Sequence, residues 1–308
     1  MVDLTLIGTG GLKPLPDRAL ASVFLRCNGK TILFDCGEGT QSAAAKASVN
    51  LMNTDIIALT HFHGDHIFGL PGLLQTLQVM ERTAPLVILG PKGIHSALEP
   101  LMKAAGDLPY EVSLIEPASE DIKLNTLVPE FPPLATLTSF ATNHRVPSLG
   151  YVFTLERMGK FNPEKAKELN IPVNLWSELQ KGNSVETEGG VVTPETVLGE
   201  KRKGIKVVIT GDTAECENLV TYSGNADLLI SEATFGENEQ TSLAAERGHM
   251  TFCVAAKIAK KANVKKLCLT HFSPRVVEPE EYLPNATDIF ENTVCGVDGM
   301  KFTLDFED

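Results

Sequence analysis

Apolar positions along the chain fall into short alternating or continuous runs that predict strands, separated by stretches whose period of about 3.6 predicts helices. Strands are predicted over 2–8, 21–27, 30–35, 55–59, 86–89, 111–115, 135–141 and 149–155, with helices over 67–81 and 92–104. Pro71 falls in the opening turn of the first helix, where a missing N–H costs little. Beyond residue 200 the pattern resumes, with strands 205–210, 227–231, 266–270 and 300–305, helix 251–262, and a short helix near 279–290. Strands therefore recur in two batches, each running into helices. That arrangement predicts an α/β fold of two βα halves packed face to face. A four-layer αββα sandwich fits, although periodicity alone does not separate it from other α/β layouts.

Residues 156–200 break this rhythm. They hold Pro163, Pro172, Pro194, Gly182, Gly189 and Gly190, many charges and the sole tryptophan, Trp176. Residues 163–170 suit one short helix. Such an interruption between core strands is either a surface insertion or a functional arm. We read 1–308 as one domain with 156–190 as an inserted flexible arm.

Bulk properties narrow the class. The chain has 308 residues, 43% hydrophobic and 21% charged, as in an ordinary globular enzyme. No apolar run approaches the ~18–20 residues that span a bilayer, so no membrane association is expected. The first strand carries Asp3 where a secretory leader would carry positive charge, so no targeting segment is expected. The six cysteines are scattered without a C-x-x-C pair, which suits reduced core residues and points to the cytoplasm. A formal charge of −12 argues against indiscriminate nucleic-acid binding. It leaves RNA open as a substrate, since metal ions or a local basic patch reverse the sign where it matters.

The histidines carry the chemistry. Three of the seven lie in His61-Phe62-His63-Gly64-Asp65-His66, just after the apolar run 55–59. His61 and His63, two apart on extended backbone, point the same way. Asp65 and His66 turn toward a second position as a helix begins. Imidazole and carboxylate suit Zn²⁺, and also Mn²⁺ or Fe²⁺. The plainer reading is a polar loop with solvent-facing or helix-capping histidines. Against it, His144, Asp212 and His271 also follow apolar strands, and His249 precedes a helix. His95 is left over on a surface helix, with no role assigned.

H-x-H-x-D-H at 61–66, followed by His144, Asp212 and His271, resembles the metallo-β-lactamase superfamily. Ile7-Gly8-Thr9-Gly10, Glu38-Gly39-Thr40-Gln41, Glu232-Ala233-Thr234-Phe235 and Thr270-His271-Phe272-Ser273-Pro274-Arg275 resemble one branch, the ribonuclease Z family of tRNA 3′-processing endonucleases. The resemblance covers nearly the whole chain. It implies the αββα metallo-β-lactamase sandwich and two zinc ions per subunit. His61, His63, His144 and Asp212 would hold one ion; Asp65, His66, Asp212 and His271 would hold the other, with Asp212 bridging. A water or hydroxide between the ions would be the nucleophile, which agrees with the physics of paired ions on a phosphodiester. The resemblance further implies that His249 protonates the departing oxygen, that Glu232 orients its ring, and that Asp65 is able to take a proton. It implies precursor tRNA as substrate, and a homodimer in which each arm grips tRNA for the partner's site. Lys160, Lys165 and Lys167 on the arm, and Arg18, are the implied substrate contacts.

Four departures lie away from the metal motif. The arm lacks the family's Gly-Pro pair, having Val173-Asn174-Leu175-Trp176. The loop usually reading P-x-K-x-R-N is Pro14-Leu15-Pro16-Asp17-Arg18-Ala19. Ser231 replaces a histidine before Glu-Ala-Thr, and Met250 replaces a serine after His249. The expected function is zinc-dependent removal of 3′ trailers from precursor tRNA. The alternative is a dimetal phosphodiesterase of the same fold acting on other RNA or on small phosphodiesters. A binding homologue with little catalysis is a third reading, which the complete ligand set argues against.

Overall fold

The computed structural model describes residues 1–118 and 120–307. The chain begins with an antiparallel meander, β1 (Val2–Gly8), β2 (Ser22–Cys27) and β3 (Lys30–Phe34). It continues in parallel through β4 (Ile56–Ala58), β5 (Leu86–Leu89) and β6 (Val112–Ile115). β7 (Ile122–Lys123), β8 (Ala135–Ala141) and β9 (Leu149–Arg157) then open a second meander. The small hairpin β10 (Val185–Thr187) and β11 (Gly190–Val192) stands apart. β12 (Arg202–Ile209) pairs antiparallel with β9, and β13 (Leu228–Glu232), β14 (Leu267–Thr270) and β15 (Thr293–Cys295) follow it in parallel. β16 (Lys301–Leu304) returns to β1. The result is two seven-stranded sheets, ordered β16-β1-β2-β3-β4-β5-β6 and β15-β14-β13-β12-β9-β8-β7.

Continuous apolar runs form the central strands because both faces are covered. Ile32, Phe34, Ile56, Ala58, Val207 and Ile209 point between the sheets, into one cluster with Tyr151 and Phe153. The intervening Leu33 and Ile57 join a second cluster under the helices Leu70–Val79 and Ile94–Ala105. Val208, Leu229 and Leu267 join a third, under helix Phe252–Lys261. Three cores between four layers make an αββα sandwich, the architecture expected. All six cysteines are free, and among the described residues no helix is long and apolar enough to cross a membrane.

Several boundaries differ from the sequence expectation. The helix expected over 67–81 is two, Gly64–Ile67 and Leu70–Val79, with Gly69 passing so close to Gly37 that a Cβ would stand 2.0 Å from its carbonyl oxygen. The helix near 279–290 is two short turns, Pro279–Tyr282 and Pro284–Thr287, because Pro284 supplies no N–H to continue the first. Helices Thr40–Lys46 and Glu217–Ser223, strands β7 and β15, and the hairpin β10–β11 were not expected.

Residues 159–199 form a lobe with its own small core. Ala166, Ile171, Leu179, Val185 and Val197 are buried together, with Trp176 and Phe161 against them. Asn162 caps helix Pro163–Glu168 by accepting from the Lys165 N–H. The base is narrow: the Gly199 N–H donates to the Lys160 carbonyl at 2.8 Å.

A candidate two-cation centre at the strand ends

The candidate residues converge where the parallel strands of both sheets end, the crevice open α/β sheets offer to ligands. Two bonds across the sandwich pin the His61 loop. Tyr151 Oη donates to the Leu59 carbonyl and the Leu149 N–H donates to the Thr60 carbonyl, both at 2.8 Å. Gly211, at φ +60°, lets the Asp212 loop approach: a Cβ there would stand 2.7 Å from that of Thr60. Gly11 does the same for His271, whose ring a Cβ would meet at 2.4 Å.

Two clusters form around one carboxylate. His61 Nε2 lies 2.9 Å from His63 Nδ1, and His144 Nε2 lies 3.3 Å from the same atom. His66 Nε2 and His271 Nε2 are 3.3 Å apart, at 3.8 and 3.5 Å from Asp65 Oδ2. Between the clusters, Asp212 presents Oδ2 at 3.8 Å from His61 Nε2. Its Oδ1 faces His271 Nε2 and His66 Nε2 at 3.2 and 3.4 Å. Asp212 is 3% exposed, and its Oδ1 has no hydrogen-bond partner among the described residues. A buried carboxylate oxygen facing imidazole nitrogens without bonding to them fits a place for a cation. The donors present (six imidazoles, counting His249, and two carboxylates) are those that suit Zn²⁺, Mn²⁺ or Fe²⁺.

The electrostatics agree. Burial lowers the imidazoles of His61, His63 and His144, which keeps their lone pairs free. His66 is opposed by burial, yet Asp212 and Asp35 on either side raise it well above the ordinary value. Burial resists ionisation of Asp212, but His271, His66 and His61 hold it well below the carboxylate range. The site is thus arranged to hold positive charge between fixed anions.

An outer layer, not assigned roles from sequence, fixes which nitrogen faces inward. Asp35 Oδ2 takes the His66 Nδ1 proton at 2.8 Å and the Thr60 hydroxyl proton at 2.8 Å. The Thr60 hydroxyl, its proton committed, accepts from His61 Nδ1 at 3.1 Å. His144 Nδ1 donates to the Gly248 carbonyl at 2.8 Å. Thr234 Oγ1 donates to Glu232 Oε2 at 2.9 Å and accepts from His271 Nδ1 at 3.0 Å. Each arrangement leaves Nε2 as the lone-pair nitrogen. Asp35 stands 31 positions from His66, and no local spacing connects them. The only local hint was its place at the end of an apolar strand. Asp35→Ala is expected to weaken divalent-metal retention by roughly 10- to 100-fold, measured by competition with a chromophoric chelator. Wild-type retention would remove Asp35 from this role.

His249 stands beside the clusters, its Nδ1 2.9 Å from Glu232 Oε1 and 3.9 Å from Asp212 Oδ2. Burial works to lower its imidazole, but Glu232 and then Asp212 and Asp65 raise it to about 9. Glu232 is itself held by the Thr213 and Thr234 N–H groups.

The structure brings together His61, His63, Asp65, His66, His144, Asp212, Glu232, His249 and His271. It does not bring Lys160, Lys165 or Lys167 to this centre; all three are exposed on the separate lobe. Arg18 is half-buried, and its Nη1 and Nη2 donate to the Val276 and Val277 carbonyls, both at 2.8 Å. His95 is exposed, 3.6 Å from Glu99.

Comparison with known proteins agrees with this geometry. The Metallo-beta-lactamase superfamily model matches residues 16–244. The chain is 44% identical to "Ribonuclease Z" of Agathobacter rectalis, with all of both chains covered. It is 41% identical to that of Lachnoclostridium phytofermentans, over 100% of this chain and 99% of the relative. The chain belongs to the ribonuclease Z family. A solved ribonuclease Z-type relative, the short form of human tRNase Z, is 27% identical, with 99% of this chain and 100% of that one covered and a TM-score of 0.68. Membership of the ribonuclease Z family makes this chain a hydrolase of the metallo-β-lactamase superfamily, a superfamily that works with divalent metals.

Proposed function

We propose that the protein is a zinc-dependent endoribonuclease that removes 3′ trailers from precursor tRNA, leaving a 3′-hydroxyl on the tRNA. The observation that carries this reading is the His249–Glu232 pair, set against a cluster of histidine and aspartate donors in which Asp212 reaches both His61 and His271. Cleaving a phosphodiester at its 3′-oxygen expels a ribose alkoxide, a poor leaving group that needs a proton donor. Thioester hydrolysis does not have that need.

His61, His63, His144 and Asp212 would hold one Zn²⁺, and Asp65, His66, Asp212 and His271 the other. Two such ions supply Lewis-acid neutralisation of phosphoryl charge and a nucleophile at neutral pH. The chain's own groups do the rest. Glu232 Oε1 takes the Nδ1 proton of His249, so the transferable proton of the imidazolium sits at Nε2. As the P–O3′ bond breaks, Nε2 gives that proton to O3′. Asp65 accepts the Leu12 N–H at 2.8 Å, which fixes its carboxylate beside His271. The lobe at 159–199, with Lys160, Lys165 and Lys167 on its surface, would hold tRNA for the partner's site in a cytoplasmic homodimer.

His249→Ala is expected to lower kcat on precursor tRNA by roughly 10²- to 10⁴-fold. A general acid works only while protonated, so activity falls as pH rises through its pKa. Because Glu232 raises that pKa, Glu232→Gln should move the alkaline limb of the kcat profile to lower pH; an unmoved limb would sink the assignment of His249 as the acid. The second reading, a phosphodiesterase acting on other RNA or small phosphodiesters, is favoured by the engagement of Arg18 with backbone carbonyls. Cleavage of a small phosphodiester by wild-type protein that leaves precursor tRNA intact would establish it.

A further inference from the structure

Arginine is the side chain best suited to gripping phosphate, through a planar fork of donors that are always charged. The chain has eight. Five are engaged within the fold. Arg18 binds the Val276 and Val277 carbonyls, Arg26 pairs with Asp3, and Arg82 binds the Met52, Ala84 and Pro85 carbonyls. Arg157 binds the Glu307 carbonyl and Arg202 that of Met158. The other three, Arg145, Arg247 and Arg275, are exposed, and among the described residues no hydrogen bond, ion pair or ring contact holds their side chains.

These three are not scattered. Arg145 follows His144, Arg247 is two residues before His249, and Arg275 is four after His271. The first two loops touch: a Cβ on Gly248 would stand 3.4 Å from Arg145 Cγ and 2.7 Å from His144 Nδ1. The third is tied to the same centre. Arg275 N–H donates to Ser273 Oγ, and Ser273 N–H donates to the carbonyl of Thr234, whose hydroxyl touches His249 and His271. Glu246, next to Arg247, makes no ion pair with it among the described residues.

We infer that Arg145, Arg247 and Arg275 form a phosphate-binding rim that takes the RNA backbone on either side of the scissile phosphodiester. Two features argue for an RNA backbone over a small anion. The three arginines lie on separate loops, each within four residues of a histidine of the centre, as an extended chain of phosphates requires. They also stand free on a protein of net charge −12, where an unpaired guanidinium has ample carboxylates to recruit. The rim gives the acidic protein local positive potential at its site, which its overall charge conceals. This inference rests on the proposed RNA substrate.

The test is the salt dependence of kcat/KM on precursor tRNA, for wild type and for Arg145→Gln, Arg247→Gln, Arg275→Gln and the triple variant. Each lost contact should flatten the log–log slope against KCl by about 0.7–0.9 and raise KM roughly tenfold at low salt. Arg→Lys at each position keeps the charge and should restore the slope, whereas a packing role would not be rescued this way. Lys103→Gln and Lys257→Gln, exposed on the helices Ile94–Ala105 and Phe252–Lys261, control for net charge. A triple variant with the wild-type slope, or control variants that flatten it equally, would overturn the rim. Thermal melting of each variant checks that it is folded. Wild-type protein that cuts no RNA sinks the proposed function and this inference with it, and is seen before any variant is compared.

Discussion

Asp212→Ala should abolish phosphodiester hydrolysis, lowering turnover of both precursor tRNA and bis-p-nitrophenyl phosphate by about 10⁴-fold or more. Among the described residues, Asp212 is the one side chain whose two oxygens face both groups, Oδ2 toward His61 and Oδ1 toward His66 and His271. Removing it leaves the imidazoles of both clusters without the anion between them, so the loss is of the centre and not of one ligand. Metal bound per subunit, measured after gel filtration, should fall in parallel. His66→Ala should act comparably, since it also releases Asp35 from its 2.8 Å bond. Full activity in either variant would overturn the site.

Excising the lobe should separate holding the substrate from cutting it. Gly159 and Gly199 touch at its base: a Cβ on Gly159 would stand 2.0 Å from the Gly199 carbonyl oxygen. Deleting 160–198 and joining these glycines removes the lobe with its core of Ala166, Ile171, Leu179, Val185 and Val197. A cut over 160–182 would strand Val185 and Val197 without partners. A second binding element raises overall affinity by about 10²- to 10⁴-fold, so kcat/KM on precursor tRNA should drop by about that much. The rate on bis-p-nitrophenyl phosphate decides how the drop is read. An equal fall on both substrates would mean that the lobe supports the body's fold and is not a substrate arm.

The residues of the centre differ in how far the sequence revealed them, and the reason is distance along the chain. His61, His63, Asp65 and His66 share one loop, so backbone geometry alone aims them at a common place. His144, Asp212 and His271 were visible because each ends an apolar strand, and parallel strands of one sheet end together. Arg18 and the arm lysines were named through the family pattern. Their surroundings depend on how the loop at 276–277 and the lobe pack, which no spacing encodes.

The sequence by itself determined the alternation of strands and helices, the two batches of strands and the ligand types, because these follow from local periodicity and side-chain chemistry. Tertiary structure decided the rest. It placed Asp35, Thr60, Thr234 and the Gly248 carbonyl behind the histidines, and so chose which ring nitrogen faces inward. It also left Arg145, Arg247 and Arg275, each close in sequence to a histidine of the centre, without partners among the described residues. Hydrogen bonds are made over about 3 Å between segments tens to hundreds of residues apart. Their partners exist only once the two sheets have closed on a shared core.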